Sequence, residues 1–391
     1  MDERIIMITL LQEYLTINTA YPESDYQSAI KLFKKYAAND GFLVNELILP
    51  SGHPVLVITL QGTSAQPALA LNHHMDVVPA PGEWQFPPFS GTVHENVIYG
   101  RGTQDCKGLG VVQYAALRQL KQSGLQPIRT IHFIMVPDEE RGGFHGTKEF
   151  IDHSSFVSLN IGYVLDEGMP SGDDTKLLIK VDERTPLQIR VTSMGSQGHA
   201  SGLSHYNCIH ALTNFLADVV AAHTEQQQLL SSHQAGDLVS MHITSLSSNM
   251  GVLNVVPSQA QATIDIRIPS HLSLDSGIAF IDALTKKHTG IMYELLATSQ
   301  ERCKAVALDS VFYTTVAQSI ADHGLIPKSF TFEATTDARF YSQRGIQAIG
   351  LTPFTDVPNL HGTNEAVRID SITQGTAIIS TFLHAFCMVN N

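Results

Sequence analysis

Positive charge is scarce in this chain. Its 24 lysines and arginines stand against 37 aspartates and glutamates, a formal net charge of −13 over 391 residues. A field of that sign repels polyanions, so neither nucleic acid nor an anionic membrane surface is an expected partner. Cysteine is sparse as well: Cys106, Cys208, Cys303 and Cys387 are scattered, with no CxxC pair and no framework spacing. That usage argues against a disulfide-stapled secreted scaffold and for a reduced, cytoplasmic protein. Met1-Asp2-Glu3-Arg4 is not a basic stretch leading into an apolar one, so no secretory leader is expected. The most apolar segment, Ala377 to Val389, is too short to span a bilayer and carries Ser380, Thr381 and His384. Repeats and low-complexity tracts are missing too, so the organisation has to be read from hydrophobic pattern. With 43% apolar and 16% charged residues the composition is that of a globular protein. At about 150 residues per domain the length suggests two or three domains.

Two amphipathic stretches open the chain, Arg4 to Leu15 and Tyr26 to Ala38, with apolar residues at helical spacing. Short apolar runs that lack polar alternation follow at Val55 to Leu60, Ala68 to Leu71, Ile131 to Val136 and Tyr163 to Leu165, with a helical segment at Leu109 to Gln122. Continuous apolar strands alternating with helices predict a mainly parallel sheet with helices on both faces. From residue 185 the order becomes strand, helix, strand, strand, helix, strand. It is carried by Leu187 to Thr192, Tyr206 to Gln226, Val239 to Ser245, Ala260 to Ile268, Leu274 to Lys287 and Met292 to Ala297. That order is ferredoxin-like. The first pattern resumes with helices Ser310 to His323 and Ile372 to Ala385 around strands Phe330 to Glu333 and Ala348 to Leu351. The expected architecture is a discontinuous α/β domain, residues 1–184 and 299–391, with a small α+β domain inserted at 185–298.

Five clusters fall where α/β folds bind ligands, mostly just past the carboxyl ends of strands. In Asn72-His73-His74-Met75-Asp76, His74 and Asp76 project to one side of an extended backbone and His73 to the other. By itself this is equally compatible with a structural histidine. Gly100 to Gly108 opens a helix, where Asp105 could serve as an ordinary cap. No Gly-Lys-Ser/Thr follows, so it is not a phosphate loop. Asp138-Glu139-Glu140 crowds three carboxylates between an apolar strand and Gly142-Gly143, and such crowding calls for a compensating positive charge. Asp166-Glu167-Gly168 and His361-Gly362-Thr363-Asn364-Glu365 complete the series. Together they offer two histidines and three carboxylates, a donor set suited to two divalent ions, most simply zinc, with one carboxylate bridging.

These stretches resemble the dinuclear zinc aminoacylases and exopeptidases, a family that includes glutamate carboxypeptidases and carboxypeptidase S-like enzymes. The likeness runs in order through His74-Met75-Asp76-Val77-Val78-Pro79, Tyr99-Gly100-Arg101-Gly102 with Asp105 and Lys107-Gly108, and Asp138-Glu139-Glu140 with Gly142-Gly143. It continues through Asp166-Glu167-Gly168, Gly195 to Ser201, Asn254-Val255-Val256-Pro257, Asp265-Ile266-Arg267, and His361 with Asn364-Glu365. Within the family the chain is most similar to the aminoacylases. The resemblance implies a zinc-peptidase-like α/β domain carrying an inserted ferredoxin-like lid and dimerisation domain. It assigns one ion to His74, Asp105 and Glu167, and the other to Asp105, Glu140 and His361, with Asp105 and a water shared between them. Zinc is the expected metal, with cobalt or manganese as substitutes.

Further roles follow from the same resemblance. Glu139 would be the general base and Asp76 would orient His74. His199 would stabilise the oxyanion, often from a partner subunit in relatives. Arg267 and Asn254 would hold the substrate carboxylate, although Arg267 alone reads as a surface strand residue. Arg339 is a further substrate contact, while Cys106 and Arg141 receive no role. The expected reaction is hydrolysis of N-acyl-L-amino acids by a homodimer. A metallo-exopeptidase acting on short peptides and a non-catalytic metal-binding relative are the alternatives.

Overall fold

The structure, a computed structural model, describes residues 3–203, 206–298 and 302–388; Met1, Asp2, the expected domain border at 299 and Val389 fall outside them. The chain divides into two compact units. One comprises residues 1–181, 306–330 and 336–391, the other residues 182–305 and 331–335.

The first unit is built on an eight-stranded sheet. Its middle is parallel: Ala68–His74 lies between Ile131–Val136 and Ile161–Asp166, and Gln347–Gly350 runs parallel beside the latter. The margins are antiparallel, with Pro54–Leu60 against Ile131–Val136, Leu43–Ile48 against Pro54–Leu60, and Lys176–Glu183 meeting Gln347–Gly350. The expected parallel sheet is therefore present at the centre. Strands Ala68–His74 and Ile131–Val136 are buried at every residue, which explains why Ala68 to Leu71 and most of Ile131–Val136 are apolar without polar alternation.

Side chains divide between the two faces with the period of two that a strand imposes. Leu69, Leu71, Phe133 and Met135 pack against helices Glu3–Leu15, Tyr26–Asn39, Lys107–Gln122, Val311–Ala321 and Ile369–Cys387. Ala70, Ile134 and Val136 face the shorter helices Thr147–Asp152, Ser154–Ser158 and Ala338–Gln343. His73 belongs to the first face, where its ring lies among Tyr14, Phe33 and Phe133. Burial there pushes its pKa down to about 3, so it is a neutral core residue.

The second unit has a four-stranded antiparallel sheet. Its spatial order is Ser240–Ser248, Gln259–Ile268, Thr185–Met194, Ile291–Thr298, covered by helices Cys208–Gln228 and Leu274–Lys287. This is the ferredoxin-like arrangement. Gln259–Ile268 alternates strictly between buried and half-buried residues, because only one face of the sheet is covered. Among the described residues no helix is long and apolar enough to cross a membrane.

Candidate metal centre

Three neighbouring parallel strands each deliver a polar side chain where they end. Ala68–His74 closes on His74, and Ile161–Asp166 is followed at once by Glu167. Ile131–Val136 leads through Asp138 into the tight turn Glu139–Arg141. Asp138 has φ +73° and Gly142 φ +99°, and the Gly143 N–H donates to the Asp138 carbonyl at 2.7 Å. The Asp76 carboxylate fixes this turn from outside, accepting the backbone N–H of Glu139 at 3.2 Å and of Glu140 at 3.0 Å.

Asp105 precedes helix Lys107–Gln122 but does not cap it; the N-cap position falls on Cys106, which makes no side-chain capping bond. Instead its two oxygens diverge. Oδ1 lies 3.0 Å from His74 Nε2, and Oδ2 lies 3.2 Å from His361 Nε2. His74 Nε2 is also 3.2 Å from Glu167 Oε2, and His361 Nε2 is 3.1 Å from Glu140 Oε2. The result is two donor groups joined through one carboxylate: His74, Asp105 and Glu167, with Cys106 beside them, and Asp105, Glu140 and His361. Within each group the donor atoms lie within 4.8 Å of one another.

This donor set suits bound cations. His74 Nδ1 lies 2.9 Å from the Asp76 carbonyl, which can only accept, so the ring proton sits on Nδ1. Nε2 then presents a lone pair to two carboxylate oxygens, an arrangement that needs a positive charge between them. Glu140 Oε1 is buried without a partner. Without an ion the charge balance is strained. Burial, then the neighbouring Glu167, push the Glu139 carboxyl well above its usual range, and burial lifts Glu167 to about 8. Hydrogen bonds to the Asp105 and Glu140 carboxylates lift His361 to about 10. A cation bound among these groups would relieve the repulsion between the carboxylates and remove the need for protons.

The structure thus gathers His74, Asp76, Asp105, Glu139, Glu140, Glu167 and His361 at one end of the sheet. Asp76 meets His74 mainly through its backbone carbonyl, its carboxylate being 3.6 Å from Nδ1. His199 and Asn254 come together in the second unit: His199 pairs with Val255 in a short ladder, and the Ala200 N–H donates to the Asn254 carbonyl at 2.9 Å. Both side chains are exposed. Arg267 lies apart from them, on strand Gln259–Ile268, with its Nε 2.7 Å from Asp265 Oδ1. It lines a cavity of about 420 Å³ with Arg184, His223 and His242. Arg339, expected as a substrate contact, is buried and donates to the carbonyls of Thr336 and Gly142.

Two features escaped sequence reasoning. Cys106 Sγ stands in the first donor group and accepts the His74 N–H at 3.3 Å. Glu365 accepts the backbone N–H groups of Gly102, Gln104 and Asp105. A thiol directly after a candidate ligand could have flagged the first; bonds to backbone groups leave no residue-type signal for the second.

The sequence profile of peptidase family M20/M25/M40 matches residues 70–385. Aminoacylase-1 of Sus scrofa is 32% identical over 393 residues, covering 98% of this chain and 95% of the relative. Aminoacylase-1 of Dictyostelium discoideum is 31% identical, with 92% of each chain covered. Among solved structures, an M20 family metallo-carboxypeptidase from Sulfolobus solfataricus superposes with a TM-score of 0.74 at 18% identity, covering 98% of this chain and 99% of that one. A tripeptidase from Staphylococcus aureus gives 0.75 at 17%, covering 97% of each. A profile matched across most of the sequence, and relatives at this identity along nearly their whole length, fix the family: the chain belongs to peptidase family M20/M25/M40.

Proposed function

We propose that this protein hydrolyses N-acyl-L-amino acids to a carboxylate and a free amino acid, using two divalent ions, zinc by preference. The observation that carries the reading is the Asp105 carboxylate, whose two oxygens reach His74 and His361 at 3.0 and 3.2 Å. A carboxylate shared in this way is what two cations in one site require. Aminoacylase-1 relatives at about 30% identity support the acyl substrate class.

His74, Asp105 and Glu167 would hold one ion, and Asp105, Glu140 and His361 the other. Ions held there would supply Lewis acidity toward the scissile carbonyl and toward a water. Glu139 is free of both donor groups and adjacent to Glu140, so it takes the water's proton and passes it to the leaving amine. Asp76 orients His74 through its carbonyl and the Glu139–Glu140 turn through its carboxylate. His199 donates to the oxyanion. Arg267 binds the substrate carboxylate, Asn254, which lies apart from it beside His199, reaches that carboxylate only from a second subunit, and Arg339 steadies the Gly142 turn. The second unit serves as lid and dimerisation domain. Its edge strand Ser240–Ser248 supports a homodimer, since it leaves Ile243 and Leu246 exposed beside an unpaired backbone edge. Cys106, Cys208 and Cys387, free thiols buried in the fold, support a reducing, cytoplasmic setting.

The test is an assay of zinc-reconstituted protein on N-acetyl amino acids and dipeptides. We expect turnover of the acyl series, loss of it on chelation and recovery on adding zinc. Turnover confined to dipeptides would replace the substrate class with peptides, and full activity in metal-free protein would end the reading.

A further inference from the structure

The loops that carry Asp105 and His361 are far apart in sequence, yet each holds the other's backbone. Arg101, on the Asp105 loop, donates through Nη1 to the Gly362 carbonyl at 3.0 Å and through Nη2 to the His361 carbonyl at 3.2 Å. Glu365, on the His361 loop, returns the contact. Its Oε1 accepts the N–H groups of Gln104 at 2.7 Å and Asp105 at 3.2 Å, and its Oε2 accepts that of Gly102 at 3.0 Å. The two side chains meet as an ion pair, Arg101 Nη1 to Glu365 Oε2 at 2.8 Å, with exposures of 2% and 0%.

A pair buried to this degree is rarely retained for stability, because desolvating both charges offsets most of their attraction; fixing geometry is its better-attested use. Here there is geometry to fix. His361 and Asn364 both sit at positive φ, 63° and 59°, where non-glycine residues stay only when their surroundings hold them. The first donor group is anchored differently: His74 ends a central strand and Glu167 follows one, so only Asp105 depends on the clamp. In the second group Asp105 and His361 both do.

We propose that Arg101 and Glu365 are positioning residues that hold the Asp105 and His361 loops in register, so that the second ion position is completed only while their pair is intact. The proposal rests on the two-ion reading given above. Trp84 supplies an internal reporter. It is the only tryptophan in the chain, and the Arg101 guanidinium lies 5.1 Å above its ring. An ion arriving at His361 should alter its emission through Arg101.

Chelator-stripped full-length protein is titrated with zinc while ions per chain and Trp84 emission are followed. We expect two ions in the wild type, with the emission change belonging to the weaker one. In Glu365→Gln the second ion should bind at least about tenfold more weakly and the first within about threefold, the range typical of groups that orient ligands. The emission change should move to the same higher zinc concentration. Arg101→Lys keeps the charge but gives up the fork across several carbonyls, so it carries the same expectation should Glu365→Gln fail to fold. Equal weakening of both ions together with a lower Tm would overturn the proposal, because that is what a merely structural pair would give. Unchanged affinities in both variants would overturn it as well. A wild type that binds a single ion would refute the two-ion reading itself, and this inference with it.

Discussion

Glu139 and Glu140 are neighbours whose replacement should have opposite consequences. Both backbone N–H groups are held by Asp76, so an isosteric glutamine at either position leaves the turn in place. Glu139 belongs to neither donor group, whereas Glu140 Oε2 stands 3.1 Å from His361 Nε2 and completes the second. Glu139→Gln removes the proton acceptor alone. General-base catalysis contributes about 10²- to 10⁴-fold, so kcat should fall by that factor, about 3–5 kcal/mol of barrier, with two ions still bound. Glu140→Gln withdraws one of the two negative charges facing the second ion. A divalent ion and a carboxylate about 4 Å apart at an effective dielectric near 20 attract by on the order of 8 kcal/mol, an upper bound because the amide oxygen can still coordinate and water resolvates the ion. We therefore expect that ion to bind roughly ten- to a thousandfold more weakly. The assay is metal content after dialysis against a graded chelator buffer, paired with kcat under saturating zinc. Activity in Glu140→Gln should be partly rescued by excess zinc, and in Glu139→Gln it should not. Finding the two phenotypes exchanged would refute the assignment of base and ligand.

Two further outcomes follow from the same geometry. His132 is buried between the Thr59 hydroxyl and the Leu159 carbonyl, and burial lowers its pKa from 6.5 to about 4. The neutral ring is favoured in the fold, so this stability is present above pH 6.5 and lost as pH falls toward 4. At about 1.4 kcal/mol per pKa unit it amounts to roughly 3 kcal/mol. His132→Gln should remove that part of the acid sensitivity when denaturant unfolding is compared at pH 7 and pH 4.5; an unchanged slope would show that the ring is not held neutral. His199→Ala should lower kcat by roughly 10²- to 10³-fold. If the group acts across a dimer, mixing that variant with Glu139→Gln should restore part of the activity, whereas no recovery despite subunit exchange would place it in its own chain's site.

The central strands were legible because double-sided burial leaves mostly apolar residues with no polar alternation, and Ile131–Val136 begins and ends where its predicted run does, with His132 its one polar residue. Lys176–Glu183 was not legible, since four of its eight residues are charged. The margin strand Leu43–Ile48 also went unread, because most of its residues are exposed and the covered-strand signal is absent. At the metal centre, residue types and chain order pointed to the right clusters. Sequence left Asp105 open between cap and ligand, because only the fold decides that its oxygens face two histidines rather than the helix N-terminus. The hold of Glu365 on three peptide N–H groups was invisible for a related reason: backbone donors are the same at every position.

The order in which ligands occur along the chain matters for how the protein is made. His74, Asp105 and Glu167 emerge first, whereas His361 arrives nearly two hundred residues after Glu167. Strand Gln347–Gly350, which takes its place beside Ile161–Asp166, is equally late. A nascent chain could therefore load its first ion well before its second, and the intervening segment would have to fold as a closed loop between them. Closing so long a loop costs little more entropy than closing one half its length, about 0.6 kcal/mol per doubling. Loop length is therefore a weak obstacle to bringing His361 back to Asp105.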